Sequence, residues 1–245
     1  SIKNNKDIYN NKKNIKIIEE KILPYGRQSI DENDIQEVLK ILKADFITQG
    51  PTIKSFEDTV KTFCNANFSV ALNSATSALH AACLSLELGN GDLFWTSANT
   101  FVSSANCGLL NGAEVDFVDI DPGTLNMSVN CLEEKLKKAK KINKIPKVVI
   151  PVHFAGQSCD MEAIHNLSYE YGFKIIEDAS HAIGGTYKNI QVGSCIYSDI
   201  TVFSFHPVKI ITTGEGGMAL TNSKKLAKNL NQFRSHGIHS NKSEM

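Results

Sequence analysis

The sequence predicts an α/β protein with a mostly parallel central sheet and helices on both faces. Three observations carry that prediction. From residue 69 onward, short apolar runs alternate with longer amphipathic segments. Runs such as "KVVIPVH" and "KIIEDA" are rich in consecutive apolar residues, the pattern of strands buried on both sides. Polar and small residues follow the strand ends, where ligands bind in open sheets of this class.

Residues 1–20, "SIKNNKDIYNNKKNIKIIEE", are rich in Lys and Asn and read as a loose or partly helical extension ahead of a domain over 21–245. "SIDENDIQEVLKILKAD" (29–45) carries apolar residues at 35, 38, 39, 41 and 42 after an acidic start, a helical stripe. "PTIKSFEDTVKTFCN" repeats the pattern with Phe56, Val60 and Phe63. A strand, "SVALN" (69–73), runs into a helix within "SATSALHAACLSLEL". Then come the strand "DLFWTSA", a helix in "FVSSANCGLLNG", the strand "EVDFVDI" and the helix "VNCLEEKLKKAK". "KVVIPVH", the helix "MEAIHNLSYEYG" and "KIIEDA" follow, then the strands "SDITVFSF" and "GGMALTN" and a helix in "SKKLAKNLNQFRSHG".

Composition narrows the function classes. Lys+Arg and Asp+Glu both number 26, which leaves no net charge to draw nucleic acid or an acidic membrane. No run of about 18 apolar residues is present to span a bilayer. The six cysteines lie far apart with no CxxC pair, a spacing that suits reduced thiols in a cytoplasmic protein better than a disulfide frame or a zinc site. Ser1 at the start and the unfinished "SHGIHSNKSEM" at the end read as a fragment.

The residues after the strands form a coherent set. Small residues at Ser74, Ala75, Thr76 and Ser77 let backbone amides approach a phosphate at a helix N-terminus; taken alone, a plain helix cap by Ser74 or Thr76 is the commoner reading. Phe101 follows a strand end, where an aromatic ring stacks on a flat cofactor or simply fills the core. Asp178 ends a strand and is placed to pair with a protonated ring nitrogen, with His181 three residues on; a cap and a core histidine are the alternatives.

In "TVFSFHPVKIITTGEGG", Lys209 stands among Val202, Phe203, Phe205, Ile210 and Ile211, expected to wall a buried place. A lysine there escapes the cost of its charge by a lowered pKa or a chemical bond. A surface lysine on an edge strand is the weaker alternative. Phosphate cradle, stacking ring, pyridinium partner and lysine are together the parts of a pyridoxal 5'-phosphate site, with Ser204 able to reach the phosphate.

"NSATSALHAA", "EDASHAIG", "FSFHPVKIITTGEGG" and "FRSHGI" resemble the DegT-type nucleotide-sugar aminotransferases, a branch of the fold-type I pyridoxal phosphate transferases. The strongest likeness is to the branch that aminates C4 of a UDP-4-keto-6-deoxy-sugar in pseudaminic acid biosynthesis. Relatives acting at C3 or C4 of UDP- or dTDP-sugars share the same motifs. The resemblance implies that Lys209 forms the Schiff base and carries the proton, and that Asp178 keeps the ring nitrogen protonated. It further implies that Phe101 stacks on the ring, that His181 lies near its O3′ side, and that Thr76, Ser77 and Ser204 bind the phosphate. "PYGRQSI" and "DFITQGP" make Tyr25 and Thr48 candidate substrate contacts. Glutamate is the implied donor, a homodimer the implied assembly, and a small C-terminal domain the part implied to be missing. A sugar dehydratase of the same fold would replace the lysine with histidine, and a Rossmann dehydrogenase would carry GxGxxG where "NSATSA" stands.

Overall fold

A computed structural model describes residues 24–238. The predicted extension over residues 1–20 lies outside the described residues. The chain runs α1 (Glu32–Leu42), α2 (Pro51–Cys64), β1 (Phe68–Leu72), α3 (Ala75–Ser85), β2 (Leu93–Ser97), α4 (Ser103–Leu109), β3 (Glu114–Val118), α5 (Val129–Lys141) and β4 (Val148–Ile150). It continues through a 3₁₀ turn at Phe154–Gly156, α6 (Met161–Tyr171), β5 (Lys174–Asp178), β6 (Thr186–Tyr187), β7 (Ile190–Gln191), β8 (Ile200–Ser204), β9 (Gly217–Thr221) and α7 (Lys224–Arg234).

Seven strands form one sheet in the order β1-β9-β8-β5-β4-β2-β3. All neighbours are parallel except β9, which runs antiparallel to both β1 and β8. The reversal follows from the link between β8 and β9. No helix crosses over there; Phe205 N–H donates to Gly216 O at 2.8 Å, so the chain turns back beside the strand it left.

Helices cover both faces, as the continuous apolar strands predict. On one face Val148, Ile150, Ile176, Ile200 and Val202 pack with α3, with Cys107 of α4 and with Leu226 and Leu230 of α7. On the other, Trp95, Val149 and Ile175 pack with α5 and α6. Beside them Phe203, Met218 and Leu220 pack with Val60 and Cys64 of α2. Successive residues of β4, β5 and β8 thus feed opposite cores, which is the period of two read from the strand backbone.

Two sequence expectations meet a different outcome. The stripe of α1 folds as a helix, capped by Asp31 with Asp34 returning the bond, yet no residue of α1 is buried. Phe63 of α2 is likewise exposed, while Val60 is buried and Phe56 stacks edge-on to Phe205. The β6–β7 hairpin was not foreseen, because two residues per strand leave no readable alternation; its turn places Lys188 and Asn189 at positive φ.

Two buried polar ties fix the layers. Glu57 of α2 accepts the Ala71 N–H at 2.9 Å and pairs with Arg234 of α7. On β5, Glu177 accepts from Thr201 at 2.9 Å and from Ser198, and meets His153 Nε2 at 2.8 Å. The Cys159 N–H donates to His153 Nδ1, so Nε2 is the nitrogen that donates to Glu177. Burial pushes the Glu177 carboxyl up, but those bonds outweigh it and hold the group below its ordinary value. Among the described residues no helix is long and apolar enough to cross a membrane.

Candidate active site

Apart from Tyr25 and Thr48, the expected site residues follow the ends of β1, β2, β5 and β8. Alternation sorts them. Asp178 shares its face of β5 with Ile176, and Ser204 shares its face of β8 with Val202, so both lie on the side of α3 and α4.

Helix α3 opens because Ser74, in extended backbone, accepts the Ser77 N–H at 3.1 Å. Ser74 is therefore a helix cap, one of the two roles its residue type allows, and its hydroxyl is engaged with Ser77. The cap leaves the amides of Ala75 and Thr76 with no carbonyl inside the helix, and the helix dipole adds partial positive charge beside them. Gly217 lets β9 approach this point: a Cβ there would stand 2.3 Å from the Ser74 carbonyl and 2.4 Å from Ala75 N. Ser204 sits opposite Gly217 in the β8–β9 register, one strand away from the helix start, and is buried.

Asp178 is 4% exposed. Its Oδ2 accepts the Ser104 hydroxyl at 2.6 Å, and its Oδ1 accepts the Ser180 hydroxyl at 2.6 Å and the Ser180 N–H at 3.2 Å. It caps no helix, so the alternative reading falls. Each carboxylate oxygen offers about two lone-pair sites, so the group retains capacity to receive a further N–H.

Lys209 lies in the loop between β8 and β9 rather than on a strand. The loop is closed by Phe205–Gly216 and by Thr213 N–H to Phe205 O at 3.0 Å, with Gly214 in the left-handed region at φ 78°. The expected walls are only half present. Val202, Phe203 and Phe205 are buried, but Ile210, 66% exposed, and Ile211 face outward because the chain leaves the sheet after Phe205. The lysine is half-buried with its Nζ against His181 Nε2. Burial lowers the pKa of its amine, against the pull of the Asp178 charge. Burial, then the Lys209 charge, likewise lower the His181 imidazole, again opposed by Asp178. His181 is therefore a partner of the lysine and not a core histidine.

Phe101 is 74% exposed, which removes the core reading and leaves its ring free at the head of α4. Tyr25 is 92% exposed, and its neighbour Gly26 packs against Val208, where a Cβ would stand 3.2 Å from that side chain. Thr48 is exposed too. Its neighbours Gln49 and Gly50 line a cleft of about 830 Å³ with Thr213, Glu215 and Gly216. Lys209, Asp178 and Thr76 do not line that cleft, but Gly217, which packs against the Ser74–Ala75 backbone, does, so the cleft adjoins the start of α3. Thr100, Ser103, Ser104 and Ser180 were missed by sequence reasoning. The run of hydroxyls in "TFVSSAN", at a strand end, was the available signal.

These residues fit pyridoxal phosphate. A helix end with free amides, a buried carboxylate with spare lone pairs and an amine biased toward its neutral form match its phosphate, ring nitrogen and aldehyde.

Comparison with known proteins points the same way. A UDP-4-amino-4,6-dideoxy-N-acetyl-beta-L-altrosamine transaminase of Campylobacter jejuni is 39% identical over 217 residues, 89% of this chain and 56% of that protein. Helicobacter pylori PseC, an aminotransferase involved in the biosynthesis of pseudoaminic acid, superposes with a TM-score of 0.82 at 32% identity, over 89% of this chain and 57% of that one. Spr1654 of Streptococcus pneumoniae, in its PLP form, gives a TM-score of 0.79 at 31% identity, over 90% of this chain and 59% of that one. The chain thus spans little more than half the length of these relatives. Residues 28–245 match the DegT/DnrJ/EryC1/StrS aminotransferases, and the chain belongs to that family.

Proposed function

We propose that the complete protein transfers an amino group from glutamate to C4 of a UDP-4-keto-6-deoxy-sugar, in amino-sugar biosynthesis of the pseudaminic acid type. The observation that carries the reading is the meeting of the Lys209 amine with His181, three residues from the buried Asp178 carboxylate, at the strand ends beside the start of α3. The 39% identity to the Campylobacter jejuni transaminase supports the sugar.

Pyridoxal phosphate, when bound, supplies an aldehyde that takes up an amino group and a ring that draws electrons from the carbon being aminated. Lys209 Nζ is the nucleophile and proton carrier; burial favours the neutral amine that both tasks need. His181 holds that Nζ through its Nε2. Asp178 holds the ring nitrogen and balances its charge. The amides of Ala75 and Thr76, with the hydroxyls of Thr76, Ser77 and Ser204, hold the phosphate, and Phe101 covers the ring. Tyr25 and Thr48 contact the sugar nucleotide. The active form is a homodimer in the cytoplasm, a compartment that agrees with six free thiols.

The test mixes the complete protein, cofactor and glutamate with a panel of UDP- and dTDP-keto-sugars and identifies the amino sugar by mass and NMR. Amination at C4 of the UDP sugar is the expected result. Exclusive use of dTDP sugars, or amination at C3, would replace the substrate assignment. Borohydride reduction followed by peptide mapping should find a pyridoxyl group on Lys209, and a label confined to another lysine would overturn the site.

A further inference from the structure

Two adjacent serines at the head of α4 have no part in the reading above. Ser103 Oγ lies 2.8 Å from Thr76 Oγ1, in the first turn of α3. Ser104 Oγ donates to Asp178 Oδ2 at 2.6 Å and is backed by Thr100 Oγ1 at 2.7 Å. Both serines are buried, Ser104 completely. The Ser104 N–H also donates to Phe101 O at 3.1 Å, so this turn joins the ring-stacking candidate to the other two ends of the site.

The geometry points to a positioning role for this pair. Ser103 and Ser104 tie the phosphate end of the site, at α3, to its ring-nitrogen end, at Asp178, and Ser104 sets the orientation of that carboxylate. The inference rests on the proposed pyridoxal phosphate site. Of the two donors to Asp178, Ser180 is two residues away and moves with the same turn, so it anchors the carboxylate to nothing else. Ser104 is 74 residues away on a separate element and can anchor it. A hydrogen bond given to an ionised carboxylate favours that form over the acid. Loss of the Ser104 hydroxyl therefore shifts the proton shared with a ring nitrogen toward Asp178. Ser103 acts at the other end, by holding Thr76.

The experiment loads the complete protein with ring-¹⁵N pyridoxal phosphate and compares wild type with Ser104→Ala, Ser104→Cys and Ser103→Ala. The readouts are the ¹⁵N resonance and cofactor affinity, with thermal unfolding to confirm folding. Ser104→Ala should move the resonance toward that of unprotonated pyridine and weaken affinity on the order of tenfold. Ser104→Cys, close in shape and a weak donor, should move it in the same direction and decides the matter if the alanine variant does not fold. Ser103→Ala should weaken affinity and leave the resonance in place. In an Asp178→Asn background, Ser104→Ala should add less than about twofold, since partners in one network are not additive. A loaded wild type with an unmoved resonance in both Ser104 variants would overturn the positioning role alone. A wild type that takes up no cofactor would overturn the proposed function and this inference with it.

Discussion

Lys209 and its neighbours show how burial and charge prepare single groups for chemistry. Lys209→Ala should reduce turnover by several orders of magnitude, because the covalent anchoring and proton transfer proposed for it are lost together; single-turnover assays on the purified variant check this. Asp178→Asn should retain some cofactor and lose most activity, since a neutral amide cannot balance a charged ring nitrogen, and activity within a few-fold of wild type would contradict that role. The pH dependence has a definite sign. Burial and Lys209 place the folded His181 below its ordinary value of 6.5, so the unfolded chain binds that proton more readily. Stability of the cofactor-free protein should therefore fall as pH drops below 6.5, until the folded imidazole itself titrates. Lys209, lowered from 10.5, has the same sign: stability rises with pH in the window beneath that value. Urea unfolding at pH 5 and pH 7 should show a smaller difference in His181→Gln than in wild type, and equal differences would remove His181 as the source.

At the scale of elements, the site depends on β9 passing close beneath the start of α3. Gly217 makes that approach, and the atoms a Cβ would strike belong to the Ser74–Ala75 backbone, not to a flexible side chain. Gly217→Ala should thus cost about 1–3 kcal/mol, the usual range for overpacking, and weaken cofactor binding by displacing the amides of Ala75 and Thr76. Gly89→Ala is the control, because its added Cβ would meet only Asn111 O at an ordinary 3.6 Å. Denaturant unfolding and cofactor titration of the two variants should separate clearly; equal behaviour would mean that the helix start shifts freely. The loop between β8 and β9 matters for the same reason. Its two backbone bonds at Phe205 fix where the chain that carries Lys209 leaves the sheet.

For the whole molecule, the notable feature is apolar surface around the site. Phe101, Val102, Leu109, Leu110, Ile210 and Ile211 are all exposed, on the α4 segment and the lysine loop. Exposed apolar surface of this kind marks interaction sites, and a two-fold pairing would cover equivalent surfaces on both copies at once. The complete protein should be a homodimer by light scattering. Leu110→Glu should shift it toward monomer and weaken cofactor binding in parallel. A monodisperse wild-type monomer with full cofactor affinity and turnover would show that no second subunit is needed.

Read alone, the sequence determined the alternation of strands and helices and the mostly parallel sheet, and it marked Asp178 at a strand end and Lys209 ahead of a glycine-rich turn as candidates. Those features are local: an apolar run, a helical stripe and a glycine-rich turn each sit within a few residues of one another. Only the tertiary structure decided the rest. It reversed β9, left the stripe of α1 uncovered, and turned Ile210 and Ile211 outward. It also brought Ser104 to Asp178 across 74 residues and Ser103 to Thr76 across 27. Such pairings depend on strand order and register, and a residue's own neighbourhood in the chain does not encode which distant element folds against it. Ser104 reads as any helix-opening serine until the fold brings the head of α4 to the end of β5.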